Sequence, residues 1–214
     1  MYVITFLRHA ESEGNVQQVL QGKTDTPLTD RGIEQAHQLA ELWKANGVSF
    51  DRIISSPLQR ARQTAQAVAD CLGVTVEIDP IWIECDFGGL EGMSYALIRQ
   101  IEPPVDYFTP YEPVGQTGES QVDLFLRACR GVQGLLRQPE ARYLVISHGA
   151  ILGKVMYAIF GLTPQGHYNS PVFRFENLSY IHLSYLAARR QWNFYGFTSP
   201  ALWSGQLPEV KGPL

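Results

Sequence analysis

The 214-residue chain is 45% hydrophobic and 18% charged, with a formal net charge of −4 and a pI near 5.7. That is apolar material enough for a core, and the acidic balance offers no electrostatic footprint for nucleic acid or an anionic membrane. Three cysteines (Cys71, Cys85 and Cys129) at wide spacing, without a C-x-x-C, argue against a disulfide framework and a cysteine zinc site.

Met1 leads straight into an apolar run, with no basic segment or cleavage pattern before it. No stretch approaches the roughly 20 apolar residues that a membrane span needs. The expectation is a soluble, cytoplasmic protein forming a single domain over residues 1–214.

Residues 3–7 (Val-Ile-Thr-Phe-Leu) are apolar and β-branched and read as a buried strand that ends in Arg8-His9. A polar loop follows through Gln21-Gly22. Thr29 is an N-cap for a helix whose apolar positions Ile33, Ala36, Leu39, Ala40 and Trp43 keep helical spacing, and Asn46-Gly47 ends it. Residues 50–55 read as a second strand. Ser56-Pro57 reads as the Ncap and N1 of a helix that runs to about Leu72, stopped by Gly73.

Residues 74–79 read as a third strand, followed by a glycine-rich loop over 83–92. Residues 94–118 hold four prolines and two glycines after a short helical stretch at 95–100, and read as a lid or insertion. Ser120-x-x-Asp123 predicts a capping box before an amphipathic helix at 122–136. Residues 143–147 form another buried strand ending in His148-Gly149, and 150–160 a helix packed on the sheet. Alternation at 172–176 and 180–186 predicts an antiparallel pair, and the Pro/Gly-rich tail after about residue 203 reads as frayed. Strands alternating with helices predict an α/β three-layer sandwich, a mostly parallel sheet with helices on both faces and an antiparallel C-terminal edge.

Three strand-to-helix junctions carry the same ingredients. Arg8 and His9 close the first; Arg60 lies in the first turn after Ser55-Ser56-Pro57; Ser147-His148-Gly149 forms the third. Alone, Arg60 reads as a surface helix residue and His148 as a core or capping histidine. Together, if the strands are parallel neighbours, two arginines and two histidines meet in one crevice near helix N-termini that favour anions. A phosphoryl group fits such a set, since its transfer needs positioning and charge stabilisation above all. A proton donor for the leaving alkoxide is also needed. The 83–92 loop offers Glu84, Asp86 and Glu91, which spacing alone does not rank.

L-R-H-A-E-S with Asn15, S-S-P-L-x-R-A-x-x-T-A at 55–65, E-x-D-F-G-x-x-E-G at 84–92, G-E-S at 118–120 and S-H-G at 147–149 resemble the histidine phosphatase superfamily, the phosphoglycerate-mutase-like proteins. The resemblance runs in order over roughly residues 2–195; only Ala10 departs, where many members have glycine. It implies that His9 forms a phosphohistidine, that Arg8, Arg60 and His148 hold the phosphoryl oxygens, and that Glu84 donates the proton. It further implies that Asn15 hydrogen-bonds the phosphate, that Gln21 and Gly22 line the rim, that Glu91 closes its loop, and that no metal or cofactor is used. His37, His167 and His182 lie outside these motifs and lack ligand spacing.

Within the family the choice lies between a phosphatase and a mutase. The 94–118 segment carries one base, Arg99, against Glu102, Asp106 and Glu112, a field that opposes a second phosphate. Its aromatic residues suit a less charged, partly apolar leaving group. The expected activity is therefore phosphomonoester hydrolysis, resembling the α-ribazole phosphatase or broad-specificity acid phosphatase kind. The alternatives are a cofactor-dependent phosphoglycerate mutase and an inactive member that binds a phosphorylated ligand. The expected partner is a small phosphomonoester, with a homodimer possible through the aromatic C-terminal pair.

Overall fold

The computed structural model describes residues 1–102, 109–165 and 171–200. In chain order the main elements are β1 (Tyr2–Arg8), α1 (Glu13–Val16), α2 (Asp30–Ala45), β2 (Arg52–Ser55), α3 (Gln59–Leu72), β3 (Val76–Ile78) and α4 (Tyr95–Ile98), then α5 (Gln121–Leu135), β4 (Arg142–Ser147), α6 (Gly149–Phe160), β5 (Tyr180–Leu186) and β6 (Gln191–Thr198). The strands make one sheet in the order β3-β2-β4-β1-β5-β6. The first four are mutually parallel, while β5 runs antiparallel to both β1 and β6.

Side chains of successive strand residues leave opposite faces of the sheet, and the two cores follow that alternation. On one face Ile4, Phe6, Ile54, Tyr143 and Val145 pack with Leu124 and Ala128 of α5 and with Leu152 and Val155 of α6. On the other, Leu7, Ile53, Leu144 and Ile146 pack with Leu39 and Trp43 of α2 and with Ala61 and Val68 of α3. Being covered on both faces, β4 is apolar from Tyr143 to Ile146 without a polar break. The α/β three-layer arrangement with an antiparallel edge is as the sequence predicts.

Caps set the helix starts. Thr29 Oγ1 accepts from Gly32 N at 2.9 Å, and Ser120 with Asp123 forms a reciprocal capping box. The start of α3 differs from expectation: its N-cap is Leu58, not Ser56. The reason is that Ser56 is already committed, its N–H continuing the ladder to Ile146 O at 3.0 Å and its Oγ accepting from His148 Nε2 at 2.7 Å. Asp25 caps α3 from a distant loop instead, its Oδ1 accepting from Gln59 N at 2.6 Å.

The predicted pairing of 172–176 with 180–186 is also corrected. Residues 171–176 form no strand, and β5 pairs with β6. The irregular segment lends its carbonyls to side chains, Phe175 O accepting from Arg8 and Pro171 O from Tyr157. One turn of helix, α1, stands where a loop was expected. The predicted tail after residue 203 lies outside the described residues, as do 103–108 of the predicted insertion. No helix among the described residues is long and apolar enough to cross a membrane.

Candidate active site

The carboxyl ends of β2, β4 and β1 lie side by side, with Arg8 opposite Ser147 and Ser55 opposite Ile146 in the ladder. Chain direction therefore delivers His9, Ser56 and His148 to one edge of the sheet, the crevice where open α/β sheets bind ligands. The His9 and His148 ring centroids are 5.1 Å apart.

His9 is buried, and its Nδ1 lies 2.7 Å from Ala10 O. A carbonyl oxygen only accepts, so Nδ1 carries the proton and Nε2 holds the lone pair. Among the described residues Nε2 takes no hydrogen bond. Burial, then the charges of Arg8 and Arg60, hold the imidazole well below its usual pKa and keep it neutral near pH 7.

Arg8 donates from Nη1 to Phe175 O at 2.6 Å, while its buried Nε has no partner among the described residues. A buried guanidinium N–H without an acceptor is a costly arrangement that an oxyanion would relieve. Arg60, buried at the second residue of α3, donates from Nε to His148 Nδ1 at 3.2 Å, from Nη1 to Thr24 O and from Nη2 to Gly22 O, both at 2.7 Å. Three of its five N–H groups are thus engaged, leaving one on each terminal nitrogen. Burial pulls its pKa down to about 10, so it stays charged at neutral pH. Because His148 Nδ1 accepts from Arg60, its Nε2 carries the proton that goes to Ser56. Here His148 contacts protein rather than facing the crevice with a free nitrogen.

Glu84 sits at the start of α6. Its Oε1 accepts from Cys85 N at 2.8 Å and Ile151 N at 3.1 Å, and Oε2 from Ala150 N at 3.2 Å. The competing acids are tied elsewhere. Asp86 pairs with Lys23 at 2.9 Å and accepts from Gly88 N; those bonds outweigh its burial and hold its pKa low, the wrong direction for a proton donor. Glu91 Oε1 accepts from Lys23 N and Phe87 N, closing the loop. It also lies so close to Gly22, whose φ is +52°, that a Cβ there would be 2.1 Å from Oε1.

Asn15 Oδ1 accepts from Ser12 N, Ser12 Oγ and Asn177 Nδ2, which leaves its amide N–H groups uncommitted among the described residues. Gln21 Oε1 accepts from Thr26 Oγ1 and lies 3.0 Å from Ser12 Oγ, bracing the same loop.

Two positioning residues were missed from sequence. Asn177 Nδ2 bridges His9 O, Ala10 O and Asn15 Oδ1 at 3.0, 2.9 and 3.1 Å, clamping the chain around His9. Arg127 donates to the carbonyls of Ile81, Ile83 and Glu84 and pairs bidentately with Glu119, fixing the loop that carries Glu84.

The remaining histidines stand apart. His37 is exposed, His182 Nδ1 bonds Thr5 Oγ1 at 2.7 Å within the sheet, and His167 lies outside the described residues. Among the described residues no group of three or more His, Cys, Asp or Glu side chains is placed to hold a metal ion. All three cysteines are free.

Comparison with known proteins gives the family. Residues 4–198 match the family model described as histidine phosphatase superfamily (branch 1). The probable phosphoglycerate mutase GpmB of Proteus mirabilis (strain HI4320) is 36% identical over 191 residues, 86% of each chain. That of Enterobacter sp. (strain 638) is 32% identical over 227 residues, spanning all of this chain and 94% of the relative. Among solved structures, a putative alpha-ribazole-5'-P phosphatase from Escherichia coli K-12 superposes with a TM-score of 0.79 at 26% identity, over 93% of this chain and 98% of that one. A phosphoserine phosphatase from Entamoeba histolytica, in complex with 3-phosphoglyceric acid, gives 0.78 at 26% identity over the same shares. The chain belongs to the histidine phosphatase superfamily, branch 1, as an enzyme of its phosphatase or mutase chemistry.

Proposed function

We propose that the chain hydrolyses small phosphomonoesters through a phosphohistidine on His9, with Glu84 as proton donor. The observation that carries this reading is the pairing of a neutral His9, its Nε2 lone pair free, with the buried, unpartnered Nε–H of Arg8 beside it.

In the first half-reaction His9 Nε2 attacks phosphorus and the bond to the leaving oxygen breaks. Arg8, the two uncommitted N–H groups of Arg60 and the Asn15 amide hold the phosphoryl oxygens. His148 joins them by exchanging its Ser56 contact for an oxygen. Glu84 gives its proton to the leaving alkoxide, and Oε2, with its single long bond to Ala150, is the oxygen assigned that proton. In the second half-reaction the Glu84 carboxylate takes a proton from water, whose oxygen attacks phosphorus and releases inorganic phosphate and His9.

We read the chain as one domain, with the 94–118 segment as an insertion whose described residues pack near the crevice. In support, Leu20, Leu90, Ile98 and Val114 share a small apolar cluster, and Tyr95 of α4 is close enough to Arg8 and Glu84 to feel both charges. Arg99, Glu102 and Glu112 of that segment are exposed, and Asp106 lies outside the described residues.

The curated relatives named as probable phosphoglycerate mutases favour a second reading, phosphoryl transfer between hydroxyls. Against it, a mutase holds multiply charged phosphate esters, and among the described residues Arg8 and Arg60 are the only cations that the crevice residues His9, Glu84 and His148 share. Phosphate release from a panel of monophosphates, measured with and without bisphosphoglycerate, separates the two. Steady release that is independent of bisphosphoglycerate supports the phosphatase; bisphosphoglycerate-dependent isomerisation without release overturns it.

A further inference from the structure

The proposed chemistry leaves one fully buried hydroxyl beside the crevice without a role. Thr64 lies on α3, four residues after Arg60, and is 0% exposed. Its Oγ1 is 2.7 Å from Arg60 O, and because a carbonyl only accepts, the hydroxyl hydrogen goes there. That bond is the usual back-bond of a threonine inside a helix. The second bond is not. Thr64 Oγ1 also accepts from Ala10 N at 3.0 Å, across 54 positions of sequence.

The Ala10 N–H depends on this acceptor. Arg8 N and His9 N still end on backbone carbonyls, those of Ser179 and Ser147, each at 3.0 Å. Ala10 is the first residue past them, is wholly buried, and has no other acceptor for its N–H among the described residues. Its carbonyl is equally committed, accepting from His9 Nδ1 at 2.7 Å and from Asn177 Nδ2 at 2.9 Å. Ala10 is thus held at both polar groups, and its carbonyl is the one that sets the tautomer and direction of the His9 ring. Residues i and i+4 share one face of a helix. One turn of α3 therefore carries both Arg60, with its uncommitted N–H groups, and the hydroxyl that anchors the backbone beside the nucleophile.

We propose that Thr64 is a positioning residue for phosphoryl transfer: its hydroxyl clasps the His9 loop to the helix of Arg60 and so fixes the nucleophile relative to that cation. The proposal rests on the reading of His9 as the nucleophile. Thr64 touches no reacting atom and acts through the Ala10 peptide alone.

The test uses orthovanadate and inorganic phosphate as probes. Vanadate takes a fifth ligand in the geometry of phosphoryl transfer, so its affinity reports His9 Nε2 and Arg60 acting together; phosphate reports the cations alone. Thr64→Val keeps the shape and removes the hydroxyl. Calorimetry should show vanadate bound at unchanged stoichiometry but about 10–100-fold more weakly, and phosphate weakened less than about threefold. The kcat should fall about 10–100-fold on p-nitrophenyl phosphate and on an alkyl phosphate alike, with KM nearly unchanged, because the nucleophile and not the proton donor is displaced. Thr64→Ser restores both bonds and should return every value to within about threefold of wild type. Wild-type vanadate affinity in Thr64→Val, equal weakening of vanadate and phosphate, or no recovery in Thr64→Ser overturns the proposal. So does a lower stoichiometry at unchanged affinity, which reports only lost folded protein. Selective loss of vanadate in a chain that hydrolyses neither ester upholds the clasp and refutes hydrolysis. A wild type that binds no vanadate overturns both.

Discussion

Replacing Arg127 by methionine keeps most of the side-chain volume and removes five hydrogen bonds. Three go to the carbonyls of Ile81, Ile83 and Glu84 and two to the Glu119 carboxylate. The Arg127 and Glu119 side chains are 15% and 18% exposed, so this pair is largely withdrawn from water. Breaking a fully buried pair costs 3–5 kcal/mol, because the remaining charge has no partner. Here Glu119 keeps Asp86 N as a donor and some access to solvent, so the expected loss is about 2–4 kcal/mol. Urea unfolding reads it as a lower midpoint at unchanged slope. Adding Glu119→Gln should recover about 1 kcal/mol or more, since it neutralises the stranded charge. The kinetic signature is separate. With the loop carrying Glu84 loosened, turnover of an alkyl phosphate should fall about tenfold more than that of p-nitrophenyl phosphate, whose leaving group needs little protonation. A stability loss under about 0.5 kcal/mol, or equal rate losses on both substrates, refutes the positioning role.

Other outcomes follow from the same geometry. Glu84→Gln should cost about 10²–10⁴-fold on alkyl phosphates and far less on p-nitrophenyl phosphate in steady-state assays. Arg60→Lys keeps a charge but cannot reach Thr24 O, Gly22 O and His148 Nδ1 together, and should lower kcat/KM by about 10²–10³-fold. His9 and His148 are held well below their usual 6.5 in the fold, so the unfolded chain binds more protons as pH drops through 6.5. Unfolding free energy should then fall with pH between about 6.5 and 5, by up to about 1.4 kcal/mol per unit for each histidine. His9→Asn should remove its own part of that slope in denaturant titrations.

The crevice was legible because its bearers sit where strong local patterns stop. β1 and β4 are central parallel strands, buried on both faces, so each reads as an apolar run broken by a histidine. Arg60 was legible from its place in a first helical turn even though the cap was misassigned, since Ser56 answers to His148 rather than to its own helix. What escaped are bonds with no periodicity. Asn177 reaches His9 O across 168 residues of sequence from an irregular turn, and Asp25 caps α3 from 34 residues away. Arg127 carries a surface-like residue type on a helix, and only the fold shows its fork turned onto backbone carbonyls. β6 was missed because 172–176 shows the same alternation closer to β5, whereas in the structure Phe175 O of that segment accepts from Arg8 instead of a strand neighbour.

The central claim is that phosphorus passes through His9. A rapid-quench time course with a phosphorus-labelled monoester, worked up in alkali to preserve phosphohistidine, tests it most directly. The account predicts label on the protein within one turnover, then in inorganic phosphate, with no protein label in His9→Ala. Phosphate release at the full rate without any labelled protein would contradict the covalent route, and label leaving only to an acceptor hydroxyl would contradict hydrolysis.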